Sequence, residues 1–411
     1  MTAEVTLRPY QIEIAQEAVG VIERLGVVML LMQVRTGKTM TAIHIAQLMN
    51  KHNVIFITKK RIISSIAADA DAMGVHLTIT NYEQLNKFTN GYQLVIVDEF
   101  HSFGAFPRPS IRAKALREIC KDTDVIMLSG TPSPESYSQF FHPLWATCKG
   151  PWRHYKNFYD WAKEYVNRKL KFIYNRHIND YSEAKIERIT QDLDPYIIRY
   201  TQIEAGFETV VEDKIIELLM PDSVMRAVKI LKKDKIFKTK DGEVVLADTA
   251  VKMMSKVHQL CSGTVKSEDG VYVAFDDFKA RFIKVHFAGQ KIAIFYKYIA
   301  ERTHIENVFG VQHICDTPEE FNSSDHSFIY VSQIQSGREG INLSSARAII
   351  MYNIDFSALS YWQARERMQG LERKMESTVY FIFTEGGIER RIYDMVCDKK
   401  DFTLRHFKAI R

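Results

Sequence analysis

The chain has 411 residues, length enough for two or three domains. A hydrophobic content of 46% supplies full cores and excludes a disordered chain, while a formal charge of +5 permits a polyanionic partner without requiring one. Five scattered cysteines with no CxxC pair (Cys120, Cys148, Cys261, Cys315, Cys397) argue against a disulfide framework or zinc site and for a reducing cytosol.

At the N-terminus, MTAEVTLRPYQ has neither a basic start nor an apolar core, so no signal peptide is expected. YQIEIAQEAVGVIERLG carries apolar residues at three- and four-residue steps and predicts a helix stopped by Gly26. The run VVMLLMQ is far too short for a bilayer, which takes about 20 residues, and reads as a strand. It ends in a Gly-Lys-Thr turn that opens a second helix, KTMTAIHIAQLMNKH. NVIFIT, VHLTIT, YQLVIVDE and DVIMLSG are apolar throughout, as expected of parallel strands covered on both faces. Strands alternating with helices predict a doubly wound α/β sheet over residues 1–148.

Residues 149–204 read differently, as a helical segment attached to the first unit. The stretch to 200 holds eleven aromatics and more Lys and Arg than Asp and Glu. Lys163, Arg168, Lys169 and Lys171 suit phosphates, with rings for unpaired bases; packing of the rings into a small subdomain is the alternative. A second α/β unit is expected over 205–411, with strands KIAIFY, ENVFGV, HSFIYVS, RAIIMYN and STVYFIFT. FKTKDGEVVL and VKSEDGVYVAF carry Asp-Gly between β-rich arms and predict hairpins. The first is basic on one arm (Lys238, Lys240) and reads either as a duplex probe or as a solvated protrusion. His258 and Cys261 in HQLCSG lack two further ligands at metal spacing, so a core cysteine on a helix is expected. Two α/β units of comparable size suggest a cleft between lobes.

The chemistry concentrates around QVRTGKT. The full phosphate-loop pattern G-x-x-x-x-G-K-[ST] would place its first glycine at Met32, so the match is partial. What remains is sufficient in kind. Gly37 lets the backbone curl, helix N–H groups face phosphates, Lys38 reaches the β and γ oxygens, and Thr39 ligates Mg²⁺. In VIVDEFH, Asp98 and Glu99 fall at the C-terminal edge of a strand, where ligands of open α/β sheets bind. Asp98 suits the metal and Glu99 the polarisation of an attacking water. MLSGTPSPE brings Ser129 and Thr131 beside these carboxylates to sense the γ-phosphate, or forms an ordinary polar turn.

These stretches resemble, in order, the motifs of superfamily 2 helicases and translocases, most closely their Swi/Snf-type branch in its short phage or prophage form. LRPYQ looks like the adenine-reading motif, MQVRTGKT motif I, IFITKKRIISS motif Ia and ITNYEQL motif Ib. VDEFH looks like motif II, LSGTPSPE motif III, KIAIFY motif IV, SGREGINLSSARAII motif V and YWQARERMQGLERK motif VI. The resemblance implies two RecA-like parallel-sheet lobes with ATP and Mg²⁺ in the cleft between them and nucleic acid across both. By motif, Arg8 and Gln11 would hold adenine, and Arg35, Thr36, Gly37, Lys38, Thr39, Gly340 and Gln363 the rest of the nucleotide. His101, Ser129 and Thr131 would couple hydrolysis to motion, while Thr58, Lys59, Thr80 and Tyr82 would meet the phosphates of a tracked strand. Arg367 matches the first arginine finger. Gly370 stands where the second belongs, so Arg373 is expected to replace it, with an exposed charge as the alternative. Arg35 and Thr36 replace the usual Gly-Leu, and Arg347 the usual aspartate of motif V.

The resemblance implies a DNA-stimulated ATPase that moves along duplex, forked or branched DNA, remodelling junctions or displacing bound protein. An RNA helicase and a binding scaffold with a weakened ATPase are the alternatives. A targeting or replication and recombination partner, a cytoplasmic site in a bacterial or phage-infected cell, and no membrane association complete the expectation.

Overall fold

The computed structural model describes residues 6–133, 136–173, 176–207, 211–334, 343, 345–356 and 377–404. The chain divides into two compact units, Met1–Gly206 with Lys399–Arg411, and Phe207–Asp398. No described helix is long and apolar enough to cross a membrane.

The first unit is built on β1 (Val27–Met32), β2 (Val54–Thr58), β3 (Thr78–Asn81), β4 (Leu94–Val97), β5 (Asp124–Ser129) and a late strand, Ile197–Tyr200. Every residue of β1, β2 and β4 is buried, which is why these runs lack polar alternation. Helices α1 (Pro9–Leu25) and α2 (Lys38–Leu48) cover one face, where Ile14, Ala18 and Ile22 pack on Val28, Leu30 and Phe56. Gly26 ends α1 at φ 73°, its N–H donating to the Ile22 carbonyl. Phe141, Trp152, Phe158, Trp161 and Tyr165 pack on the opposite face, against a core that includes Met29, Ile57 and Val95.

Residues 149–204 are helical only in part. Helices Phe158–Tyr165 and Ile186–Leu193 flank an antiparallel hairpin of β6 (Lys169–Ile173) and β7 (Arg176–Asp180). The segment then contributes β8 (Ile197–Tyr200) alongside β1, completing the all-parallel order β3-β2-β4-β5-β1-β8. Most of its rings are core. Among the described residues Tyr159 and Phe172 are the exceptions, at 42% and 65% exposed.

The second unit orders its sheet β15-β16-β14-β17-β18-β9, again all parallel. The strands are β9 (Val211–Leu218), β14 (Ile292–Tyr296), β15 (Ile314–Cys315), β16 (Ile329–Gln333), β17 (Ala348–Met351) and β18 (Ser377–Thr384). The two Asp-Gly hairpins form as expected: β10 (Ile236–Lys238) with β11 (Val244–Leu246), and β12 (Thr264–Lys266) with β13 (Tyr272–Ala274). Cys261 ends the helix Ala250–Cys261 inside the core. ENVFGV is not a strand. It closes the helix Ile299–Phe309, because Ile305, Val308 and Phe309 face one core at helical steps and Glu301 caps the helix start.

Candidate nucleotide site

Parallel order places the ends of β1, β4 and β5 along one edge of the first sheet, and α2 begins there. Gly37 is its N-cap at φ 81° and offers no side-chain cap, so the first-turn N–H groups keep their capacity for an anion. The positive φ demands glycine here, and a Cβ at Gly37 would also lie 2.2 Å from Gln11 Nε2 and displace the end of that side chain. Gln11 is the clamp of the loop: its Nε2 donates to the Gly37 carbonyl at 3.1 Å and its Oε1 accepts from the Arg8 N–H at 2.9 Å.

The loop turns into α2 without a first glycine. Arg35 takes the left-handed conformation at φ 63°, at a cost of about 1–2 kcal/mol that glycine would avoid. Thr36 is buried, with its hydroxyl and its N–H both on the Gln33 carbonyl at 2.7 and 3.3 Å, so it braces the turn from within. Lys38 Nζ rests on the carbonyls of Met32 and Gln33 at 3.0 and 3.4 Å. Thr39 is half-buried in the first turn of α2. Sequence reading missed the outer braces. Tyr10 stacks on Tyr200 at 4.5 Å and donates to the Thr36 carbonyl, and Gln202 donates to the Val34 carbonyl at 2.9 Å. Nothing in the sequence brings residues 200 and 202 to the loop; that depends on β8 lying beside β1.

The two carboxylates, adjacent in sequence, are held from opposite sides of β4. Asp98 is buried and is gripped from the β2 and β3 side. Its carboxylate accepts from Thr58 Oγ1 at 2.8 Å, and its carbonyl accepts from Tyr82 Oη at 2.7 Å. Glu99 stands on left-handed backbone (φ 46°, ψ 53°) and is gripped from the β5 side. Its Oε2 lies 3.2 Å from His101 Nδ1 and accepts from Ser129 Oγ at 3.3 Å, and Ser129 Oγ in turn accepts from the Thr131 N–H at 3.0 Å. Burial and the neighbouring Glu99 charge push the Asp98 carboxyl upward, against the Thr58 hydrogen bond and the charges of Lys38 and Lys59. Burial pulls Glu99 the same way, but the His101 contact together with Lys38 and Lys59 outweighs it, and this carboxyl falls.

Three residues expected on a nucleic-acid strand are buried. Thr58, Thr80 and Tyr82 are 0%, 2% and 4% exposed, and Thr58 and Tyr82 turn to Asp98 because their strand ends point into the carboxylate edge. Lys59 is half-buried, close enough to lower both carboxyls. In the basic segment Lys163 pairs with Asp160 and Lys169 with Glu183, and Arg168 is exposed. The Lys171 side chain, Gly340, Gln363, Arg367 and Arg373 lie outside the described residues.

The donors present fit a Mg²⁺-bound nucleoside triphosphate. Among the described residues no group of three or more His, Cys, Asp or Glu could hold a metal alone. Mg²⁺ ordinarily takes one or two carboxylates with phosphate oxygens and water, and Asp98 and the Thr39 hydroxyl are hard oxygen donors of that kind.

The model of the SNF2-related domain family matches residues 15–264 of this chain. Shorter stretches are similar to three large proteins. The DNA excision repair protein CSB of Oryza sativa subsp. japonica is 37% identical over 75 residues, 18% of this chain and 6% of that protein. The DNA excision repair protein ERCC-6 of Mus musculus is 33% identical over 88 residues, 21% of this chain and 6% of that protein. The chromatin-remodeling ATPase INO80 of Pyricularia oryzae is 33% identical over 86 residues, 21% of this chain and 4% of that protein. Each match therefore spans only a small part of the relative's length.

Proposed function

We propose, from the premise that this chain belongs to the SNF2-related domain family of Swi/Snf-type superfamily 2 proteins, that it is an ATP-hydrolysing motor that moves along duplex or forked DNA. The observation that carries this reading is the pair of oppositely held carboxylates at the end of β4. Their separate grips suit two tasks, a metal ligand and a water-polarising base. Gly37, Lys38 and the first-turn N–H groups of α2 bind the phosphates, and Thr39 and Asp98 hold the Mg²⁺. Arg8 and Gln11 lie beside the loop, where an adenine ring would be read. The bound metal supplies charge neutralisation at the phosphates. Glu99, kept ionised by His101, accepts the proton of the attacking water, and Ser129 and Thr131 tie that carboxylate to the end of β5. Gly340, Gln363, Arg367 and Arg373 are assigned to the same nucleotide by their motifs.

DNA is the proposed track, and the family's repair and remodelling relatives support it. Lys163, Arg168 and Lys169 supply cations on or next to the β6–β7 hairpin, where Leu170 and Phe172 are 67% and 65% exposed, and Lys171 is assigned to the same set by its sequence. Apolar and aromatic side chains next to cations suit a strand with unstacked bases. A partner protein is assigned the targeting.

The test is ATP turnover with no nucleic acid, duplex DNA, forked DNA and RNA, alongside Lys38→Ala. Stimulation by DNA, lost in Lys38→Ala with DNA affinity retained, is expected. Stimulation by RNA alone would make this an RNA helicase, and a flat background in all four would leave a binding scaffold. Neutralising the four segment cations together should lower the salt slope of DNA binding but not basal turnover. An unchanged slope would confine the segment to packing.

A further inference from the structure

We propose that Thr58 and Tyr82 are positioning residues of the two carboxylates, with separate tasks, and that neither contacts a nucleic-acid strand. This rests on the nucleotide reading above. Asp98 is fixed at three points by neighbouring strands. Its N–H donates to the Ile57 carbonyl at 2.9 Å, its Oδ2 accepts from Thr58, and its carbonyl accepts from Tyr82. Thr58 acts on the side chain. It takes up one carboxylate oxygen and so fixes the rotamer that presents the other. Tyr82 acts on the backbone. The Asp98 carbonyl belongs to the peptide unit that precedes Glu99, and the orientation of that unit sets the left-handed φ of 46° at Glu99. The Tyr82 ring also meets Phe103 edge-on at 5.3 Å, in the turn Phe100–Phe103 directly after the carboxylates. It therefore braces the strained residue on both sides. Strain of this kind persists only where the surroundings over-determine it.

Both hydroxyls are committed to Asp98 and are nearly inaccessible, so removing them should alter the metal and the base differently. Thr58→Val keeps the shape but loses the donor. A fluorescent ATP analogue should then show a Mg²⁺-dependent gain in affinity reduced about tenfold, with Mg²⁺-free affinity unchanged, as when an outer-shell partner of a metal ligand is lost. Thr58→Ser should restore it. Tyr82→Phe should lower maximal turnover about tenfold, in line with loss of one buried hydrogen bond, while leaving the Mg²⁺-dependent affinity as in the unaltered protein. Both variants should keep the DNA affinity and salt slope of the unaltered protein, with thermal unfolding confirming that each is folded. Unchanged Mg²⁺ dependence in Thr58→Val would overturn the assignment. So would a loss of DNA affinity with nucleotide binding intact, which is what a strand contact gives. Lys38→Ala separates the two failures. If it still binds the analogue normally, the nucleotide reading falls; if it loses binding while Thr58→Val behaves normally, only this inference falls.

Discussion

Each unit buries charge at the edge of a parallel sheet, but the two clusters are built to different ends. In the second unit Lys279 and Glu389 are both 0% exposed and saturated with partners. Lys279 Nζ meets Glu389 and donates to the carbonyls of Ile382 and Tyr352 at 2.7 and 3.2 Å, while Glu389 Oε2 accepts from the Thr384 N–H at 3.0 Å. The result ties β17 and β18 to two helices and leaves nothing for a ligand. In the first unit the charges are held less completely. Lys38 leans on two carbonyls, Glu99 keeps 18% of its side chain exposed on strained backbone, and the start of α2 has no side-chain cap. Buried charge is thus a poor indicator of function by itself. Spare donors, a carboxylate pair pushed apart in acidity and local strain mark the working site.

The comparison can be broken at either cluster. Glu99→Gln should slow ATP turnover at least a hundredfold, within the roughly 10²–10⁴ range of general-base loss, with stability unchanged and nucleotide with Mg²⁺ still bound. Loss of binding instead would make Glu99 a metal ligand. Lys279→Met should destabilise the second unit by about 3–5 kcal/mol, read by denaturant unfolding, because it strands the Glu389 carboxylate. Replacing both residues with apolar ones should recover much of that loss; failure to recover it would mean the pair does more than hold the fold.

Acidification should act through buried imidazoles outside both clusters. Burial lowers His142 from 6.5 to about 4, against the hydrogen bond of Nδ1 with the Ala105 carbonyl. Its folded value lies below its unfolded one. The neutral ring's contribution is therefore complete above pH 6.5 and is lost as pH falls from there toward 4, a loss of at most about 3 kcal/mol. His142→Asn should flatten that acid limb, and an identical pH profile would refute the assignment. The smallest expected effect is at Gly26. Alanine there must adopt φ 73° and displace the Lys149 side chain, which pairs with Asp124, at a cost of about 1–2 kcal/mol in thermal unfolding and none in nucleotide affinity.

Much of the site was legible because its chemistry is local. A buried strand, a Gly-Lys-Thr turn and a helix start lie within one stretch, and Asp98 and Glu99 end another apolar run. The edge strands β8 and β9 were not legible, although β3, at the other edge of the first sheet, was. β9, VEDKIIEL, is only half-covered, and β8 is four residues inside a segment dominated by aromatics. Their sequences therefore lack the continuous apolar signature of the central strands. The helix holding ENVFGV reads as a strand for a related reason: a short apolar run fits either period, and its core contacts decide.

Sequence by itself picked out the candidates for phosphate, metal and base chemistry, since residue type and spacing along one strand or turn are enough to propose them. Only the tertiary structure decided which way the neighbouring hydroxyls point. Thr58 and Tyr82 follow strand ends that resemble strand-contacting motifs, yet the parallel order β3-β2-β4 sets both beside Asp98. The left-handed backbone at Arg35 and Glu99 was likewise invisible in the sequence. Neither residue type favours it, and only the packing around each holds it there.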